Sequence, residues 1–224
     1  MKRLAFAGLA AGFTAVLAQA TILPPTGSPP VAPSPFATPV LGPFDADTGL
    51  QAFAATNSLG QTTITGDYRA AVYADPDNSF CAGCLDFFVW VTSNATSLDD
   101  VERITLASFG SYLADVGYST GNGSVAGGVP PATVDRSNTG SVIGFNFTPP
   151  VGVAPGEQTE VLEIETNATL FTYGALQVID SGVASVKAFA PASVPEASSI
   201  SMTLLGGILL GFGLLRRRRR ADHG

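Results

Sequence analysis

The most regular pattern along the chain is an alternation of side chains over residues 84–91. Every second residue is apolar and falls on one face of an extended strand: Leu85, Phe87, Val89 and Val91. The intervening side chains, Asp86 among them, fall on the opposite face. Seven further stretches have strand-like composition, namely residues 68–74, 102–109, 141–147, 160–165, 168–173, 176–179 and 184–190. No stretch combines a sustained helical period with capping residues, so the pattern predicts an all-β protein.

Turn signals separate these predicted strands. They are the runs of Gly, Pro, Asn and Asp at residues 75–78, 119–123, 148–152 and 180–182. Many short strands joined by such turns are typical of an antiparallel β-sandwich. We therefore predict one antiparallel β-sandwich ectodomain over residues 44–192, which is long enough to bury a core of its own.

The first 20 residues have the three parts of a secretory signal peptide. Lys2 and Arg3 give a basic start, residues 4–17 are apolar, and Ala18 and Ala20 form a small-x-small cleavage site. Signal peptidase is therefore expected to cut after Ala20, which leaves Thr21 as the mature N-terminus.

Residues 21–43 contain eight of the 16 prolines of the chain. Small and polar residues fill the positions between them. This composition favours an extended, solvated polyproline II segment, so we predict a Pro-rich linker here.

The chain ends with an uncharged stretch over residues 197–215, followed by five arginines, Arg216, Arg217, Arg218, Arg219 and Arg220. A helix of about 20 residues is needed to cross the hydrocarbon core of a bilayer. The stretch is long enough to be one C-terminal transmembrane helix. The arginines would act as a stop-transfer block and keep the tail cytoplasmic, since moving that charge through the inner membrane is costly.

Just ahead of this helix lie Val194, Pro195 and Glu196. This motif, the apolar run and the arginine block together resemble the PEP-CTERM sorting signal of bacterial exported proteins, and the resemblance covers residues 194–220. The family usually has proline after the glutamate, where this chain has Ala197. The resemblance implies that an exosortase, a membrane transpeptidase-like enzyme, processes the chain near Pro195 and Glu196. An ordinary C-terminal membrane anchor is the alternative interpretation of the same residues.

The predicted ectodomain is strongly acidic. Between residues 44 and 192 the chain has 16 Asp and Glu residues against four Lys and Arg residues, a net charge of −12. Such a charge excludes nucleic acid as a partner, because the phosphate backbone would be repelled.

The only histidine is His223, beyond the arginine block. Its absence from the ectodomain excludes catalytic schemes and metal sites that depend on histidine. The two cysteines, Cys81 and Cys84, have the spacing of a thioredoxin-type motif, but Cys84 runs directly into a predicted strand rather than a helix. We predict a local disulfide, as expected for an exported protein.

Carboxylates are the remaining candidates for chemistry. Residues 75–78 and 45–49 resemble calcium loops in their oxygen-rich composition, but neither completes a known pattern. Aspartates in turns that hydrogen-bond their own backbone are the favoured interpretation of both. Glu163 and Glu165 alternate with apolar residues, which predicts that both lie on a solvent-facing strand surface. We accordingly assign no catalytic residue, no metal ligand and no cofactor.

These patterns predict a protein that is not an enzyme. It is expected to be exported, held in the inner membrane before processing, and then located at the cell surface or outside the cell, with a structural or binding role in the cell envelope or extracellular matrix. Extracellular polysaccharide is a candidate partner. Two alternatives stay open: a carbohydrate- or calcium-dependent adhesin, and a carboxylate-based polysaccharide hydrolase.

Overall fold

The computed structural model describes residues 21–36, 44–119, 128–147 and 152–193, and all regular structure in these ranges is β-strand. The strands are β1 (Thr21–Leu23), β2 (Ser28–Val31), β3 (Ser34–Pro35), β4 (Ala46–Asp47), β5 (Gln51–Thr56), β6 (Thr62–Asp75), β7 (Cys84–Ser93), β8 (Arg103–Ala107), β9 (Ala114–Ser119), β10 (Thr133–Arg136), β11 (Val142–Asn146), β12 (Val161–Thr166), β13 (Phe171–Ile179) and β14 (Val183–Pro191). All of them belong to one unit that ends at Pro191.

The strands form one continuous sheet in the order β1-β9-β12-β7-β6-β5-β14-β13-β8-β11-β10-β2, with β3 added to β9 and β4 to β6. Every pairing between named strands is antiparallel except that of β3 with β9. The first six strands of this order meet the last six through the residue pair Thr56–Val183. The predicted all-β, antiparallel character is thus confirmed.

The main core is one cluster of buried apolar side chains contributed by both halves of the sheet. The predicted inward face of β7 is correct: Leu85, Phe87, Val89 and Val91 are all buried in this cluster. Phe87 meets Phe109 from the other half edge-on, with ring centroids 5.5 Å apart. Burial of such a face is the main driving force for the fold.

The outer face of β6, β7 and β12 is also covered, which the alternation alone does not predict. Phe88 is buried there with Ala71 and Val161, and Phe44 packs against Phe88 with ring centroids 6.2 Å apart. The guanidinium of Arg69 lies over the Phe44 and Trp90 rings, 5.8 and 5.0 Å from their centroids. The strand β7 therefore has apolar neighbours on both of its faces.

The predicted linker differs from the structure over residues 21–36, which form β1, β2 and β3 rather than a solvated spacer. β1 and β2 occupy the two ends of the strand order. Proline is tolerated at such edges because it has no N–H to contribute to a ladder. Leu23 of β1 is fully buried, so this segment belongs to the folded domain.

Most predicted strands are present with shifted bounds. The stretches 168–173 and 176–179 merge into the single strand β13, and β6 extends well beyond residues 68–74. β5, β9 and β10 were not predicted. β9 is short, and its apolar positions are small or interrupted by Asp115 and Gly117, so its sequence lacks a strong strand signal.

Candidate functional site

A cluster of carboxylates lies on the covered outer face of the first half of the sheet. The register explains its assembly, because Glu165 of β12 is paired with Asp86 of β7 on one side and with Asp115 of β9 on the other. Glu163 is two residues before Glu165 and shares its face. Asp75 ends β6 opposite Cys84, two residues before Asp86. Residues that are up to 90 positions apart in the sequence are thereby placed side by side.

Three members of this cluster approach one another closely. One carboxylate oxygen from each of Asp75, Asp86 and Glu165 lies within 4.8 Å of the others. Asp75 and Asp86 are buried, whereas Glu165 is partly exposed. Three like charges at this separation cannot all stay ionised without compensation, so protons or a cation must neutralise part of the charge.

The loop between β6 and β7 is built around these carboxylates. Asn78 donates from Nδ2 to Asp86 Oδ1 at 2.6 Å and to the Thr166 carbonyl at 3.2 Å. The Ser79 amide donates to Glu165 Oε2 at 3.1 Å.

The same loop returns the chain to the start of β7. The Gly83 amide donates to the Asp75 carbonyl at 2.7 Å, and Gly83 has a φ of 78°, a conformation that favours glycine. Cys81 and Cys84 form a disulfide in this loop, with Cα atoms 5.3 Å apart. The predicted cysteine pair therefore lies beside the carboxylate cluster, where it braces the loop that contacts two of its members.

The burial of Glu163 contradicts a prediction made from the sequence. It was expected on a wet strand surface together with Glu165, yet its side chain is fully buried. The cause is the chain segment that packs over this face: β3 is paired with β9, and the Phe36 ring packs against Gly117, which is the register partner of Glu163. The prediction of a solvent-facing carboxylate was wrong for Glu163, while Glu165 retains partial exposure.

Several of these buried oxygens have no hydrogen-bond partner among the described residues. They include both carboxylate oxygens of Glu163, Oδ2 of Asp86 and Oδ1 of Asp115. Buried polar atoms are normally paired, because an unpaired group retains the cost of its desolvation. The cluster therefore has unused ligand capacity inside the protein.

Burial and the repulsion of neighbouring carboxylates raise the pKa values of Asp86 and Glu163. Burial raises the pKa of Asp86 to about 9, aided by the charges of Glu163, Glu165 and Asp75 and opposed by the hydrogen bond from Asn78. Burial, followed by the charges of Glu165, Asp75 and Asp115, raises the pKa of Glu163 well above its usual value.

The same causes act on a fifth member of the cluster. Burial and the charge of Glu165 raise the pKa of Asp115 to about 6. At neutral pH the isolated cluster therefore retains protons that carboxylates in water would lose.

The other acidic residues noted in the sequence have different surroundings. Asp47 forms an ion pair with Arg69, which donates from Nε at 2.9 Å, and Asp45 accepts a 2.6 Å hydrogen bond from the Ala74 amide. Asp99 accepts a hydrogen bond from the Ser181 hydroxyl. The calcium-loop resemblance of residues 45–49 is thus explained by an ion pair and backbone contacts, whereas that of residues 75–78 marks a loop that contributes Asp75 to the cluster.

The residues assigned to export and sorting lie outside the described residues. They are the signal-peptidase positions Ala18 and Ala20, the sorting motif of Val194, Pro195 and Glu196, the apolar stretch 197–215, and the stop-transfer block of Arg216, Arg217, Arg218, Arg219 and Arg220. Within the described ranges, no helix has the length and hydropathy needed to cross a membrane.

Comparison with protein-family models, with curated protein sequences and with solved structures found no match for this chain.

Proposed function

We propose that this chain is an exported protein of the cell envelope or extracellular matrix with a structural or binding role. The observation that carries the proposal is the order of segments in the sequence: a basic and then apolar N-terminal stretch of the signal-peptide type, one β-rich domain, the PEP-CTERM-like motif, an uncharged stretch of 19 residues and five arginines. This order fits delivery of the domain across the inner membrane while the arginine block stays behind.

In this proposal, signal peptidase cuts after Ala20 and an exosortase-like enzyme then processes the chain near Pro195 and Glu196. The first step is consistent with the burial of Leu23 in β1, since a mature chain that starts at Thr21 keeps this strand whole. The end of β14 at Pro191 supports the second, because the sorting motif follows the last strand within a few residues. The domain is further proposed to be a two-layered sandwich, followed by one transmembrane helix over residues 197–215 until processing.

A binding or structural role fits the geometry better than catalysis. A polysaccharide hydrolase needs two carboxylates flanking an open cleft. In the only tight carboxylate cluster found among the described residues, Asp75 and Asp86 are buried, and the neighbouring Glu163 is buried as well. A calcium-dependent adhesin is a second candidate, because the same cluster offers oxygen ligands to a cation.

Sorting is tested by the mass of the mature protein. We expect intact-mass analysis of the protein from cells that express the full chain with an exosortase to show Thr21 as the first residue and the arginine tail to be missing. In matched cells without the exosortase, the tail should stay attached and the protein should stay in the membrane fraction. A full-length C-terminus in both cell types would favour a plain membrane anchor instead.

A further inference from the structure

We propose that the carboxylates of Asp75, Asp86 and Glu165 bind one divalent cation, and that calcium is the cation that fits. The cation would lie on the covered outer face of the sheet, beneath the disulfide-braced loop between β6 and β7. The proposal concerns the folded domain alone and does not depend on how the chain is sorted. It also departs from the sequence prediction, which assigned no metal ligand.

The spacing of the oxygens suits a shared ion. Calcium binds oxygen ligands at about 2.3–2.6 Å, so two oxygens on opposite sides of one ion are about 5 Å apart at most. The oxygens of Asp75, Asp86 and Glu165 lie within 4.8 Å of one another. An ion can therefore contact all three with little rearrangement of the strands that hold them.

A second observation comes from Glu163, which is not one of these three ligands. Its side chain is fully buried on the same face of β12 as Glu165, and neither of its oxygens has a hydrogen-bond partner among the described residues. Its carboxylate interacts electrostatically with those of Glu165 and Asp75. Oδ2 of Asp86 is likewise buried without a partner. Buried, unpaired oxygens that face other carboxylates are the arrangement expected around a cation.

Within the described ranges, no basic side chain contacts the cluster. Residues 21–193 contain four basic side chains, and each is engaged elsewhere. Arg69 pairs with Asp47 and Arg103 with Asp135, while Arg136 donates to backbone carbonyls. The ammonium of Lys187 lies 5.8 Å from the centroid of the Tyr173 ring. Among the described residues, compensation of the carboxylates is therefore left to protons or to an ion taken from solution.

The ligand chemistry selects a hard cation. All three ligands are carboxylates, and the neighbouring cysteines are unavailable as thiolates because they form a disulfide. Zinc prefers nitrogen and sulfur ligands, whereas calcium and magnesium prefer oxygen. The partial exposure of Glu165 leaves one side of the site open to water ligands, and calcium accepts the resulting irregular geometry more readily than magnesium, which demands a near-ideal octahedron.

The test uses the full chain, purified in detergent and freed of metal with EDTA. After removal of the chelator, we expect calorimetric titration with CaCl₂ to show one ion bound per chain. At a calcium concentration 100 times the dissociation constant, the unfolding equilibrium constant should fall about 100-fold, which would be seen as a higher melting temperature. Magnesium at the same concentration should have a smaller effect. No calcium binding at millimolar concentration would overturn the proposal.

Three variants separate a metal site from a merely structural cluster. Asp86→Asn should lose calcium binding, yet it should melt no lower than the parent chain in EDTA, because an amide needs no counterion. Glu165→Gln, at a partly exposed position, should weaken calcium binding at least tenfold. If Asp86→Asn does not fold, Glu165→Gln is the variant to compare with the parent chain. Glu102→Gln, an exposed acidic residue outside the cluster, should bind like the parent. Equal calcium binding by Glu165→Gln and the parent, or an equal loss in Glu102→Gln, would contradict the assignment.

Discussion

Replacement of Arg136 by methionine will destabilise the folded domain by on the order of 4 kcal/mol, because several buried carbonyls will lose their charged donor. Arg136 is 2% exposed and has the largest side chain among the fully buried residues. Its Nε donates to the Gly140 carbonyl at 2.8 Å and its Nη1 to the Leu23 carbonyl at 2.7 Å. Its Nη2 donates to the carbonyls of Phe109 and Tyr112 at 2.9 and 2.8 Å.

These bonds connect parts of the chain that are distant in sequence. One guanidinium joins the end of β1, the turn between β8 and β9, and the turn between β10 and β11. Methionine fills a similar volume but donates no hydrogen bond, so the acceptors stay buried and unpaired. Lysine in the same position keeps the charge, but its single ammonium cannot reproduce the planar, five-donor geometry. We therefore expect Arg136→Lys to be destabilised as well, by a smaller amount.

Chemical unfolding of the full chain, followed by the fluorescence of Trp90, measures this effect. The matched control is Lys187→Met, which removes an exposed basic side chain whose ammonium lies 5.8 Å from the centroid of the Tyr173 ring. Cation–π contacts at exposed sites contribute about 0.5–1 kcal/mol, so the control should unfold close to the parent. An Arg136→Met variant that unfolds within about 1 kcal/mol of the parent would show that the carbonyls find other donors.

The metal-free chain is expected to lose stability as the pH rises from about 5 to about 8, in contrast to the usual behaviour of acidic groups. The pKa of Asp86 is about 9 in the folded chain and 3.8 when it is unperturbed. The folded chain therefore keeps a proton that the unfolded chain releases above about pH 4. Raising the pH in this window favours the unfolded chain by about 1.4 kcal/mol per pH unit for each such proton. Above the folded-state pKa this loss is complete.

Burial is the main cause of the raised pKa of Asp86, and the groups that face it adjust the size of the shift. Asn78 donates a hydrogen bond that lowers the pKa, while the charges of Glu163, Glu165 and Asp75 raise it. The raised pKa of Glu163 acts in the same direction as that of Asp86. In excess calcium we expect the opposite, a stability that rises with pH. A cation competes with protons for the same oxygens and binds more tightly as they ionise.

Thermal unfolding at several pH values, in EDTA and in excess calcium, measures both trends. Asp47 and Asp135 have lowered pKa values in the folded chain. Their stabilising contribution is complete above their ordinary pKa of 3.8 and is lost as the pH falls from there through the folded-state pKa, so it is constant in the window between about 5 and 8. Asp86→Asn should flatten the slope in EDTA. A metal-free chain whose melting temperature rises steadily from about pH 5 to about pH 8 would contradict the account of protonated, buried carboxylates.

The sequence alone predicted correctly which face of β7 is buried, because that face depends on local periodicity. Leu85, Phe87, Val89 and Val91 alternate with a period of two, and a buried sheet face is the direct consequence. The outer face of this half of the sheet could not be predicted in this way, because Phe44 covers β7 and the segment that includes Phe36 packs against β9. Proline-rich composition indicated a solvated spacer there, but edge strands tolerate the same residues.

The carboxylate cluster was only partly visible in the sequence. Residues 75–78 indicated an oxygen-rich loop, and Asp86 interrupted an otherwise apolar strand. Asp75 and Asp86 lie close to Glu165 only because β12 is placed between β7 and β9. Pairing of strands about 80 residues apart is set by the whole topology rather than by any local pattern. The burial of Glu163 was missed for the same reason.

The most direct test of the cation site is a crystal structure of the full chain grown in calcium, with the ion located by its anomalous scattering. We expect one ion per chain, at about 2.3–2.6 Å from an oxygen of each of Asp75, Asp86 and Glu165. Well-ordered carboxylates with no ion between them, at millimolar calcium and pH 8, would show that protons alone neutralise the cluster and would contradict the account.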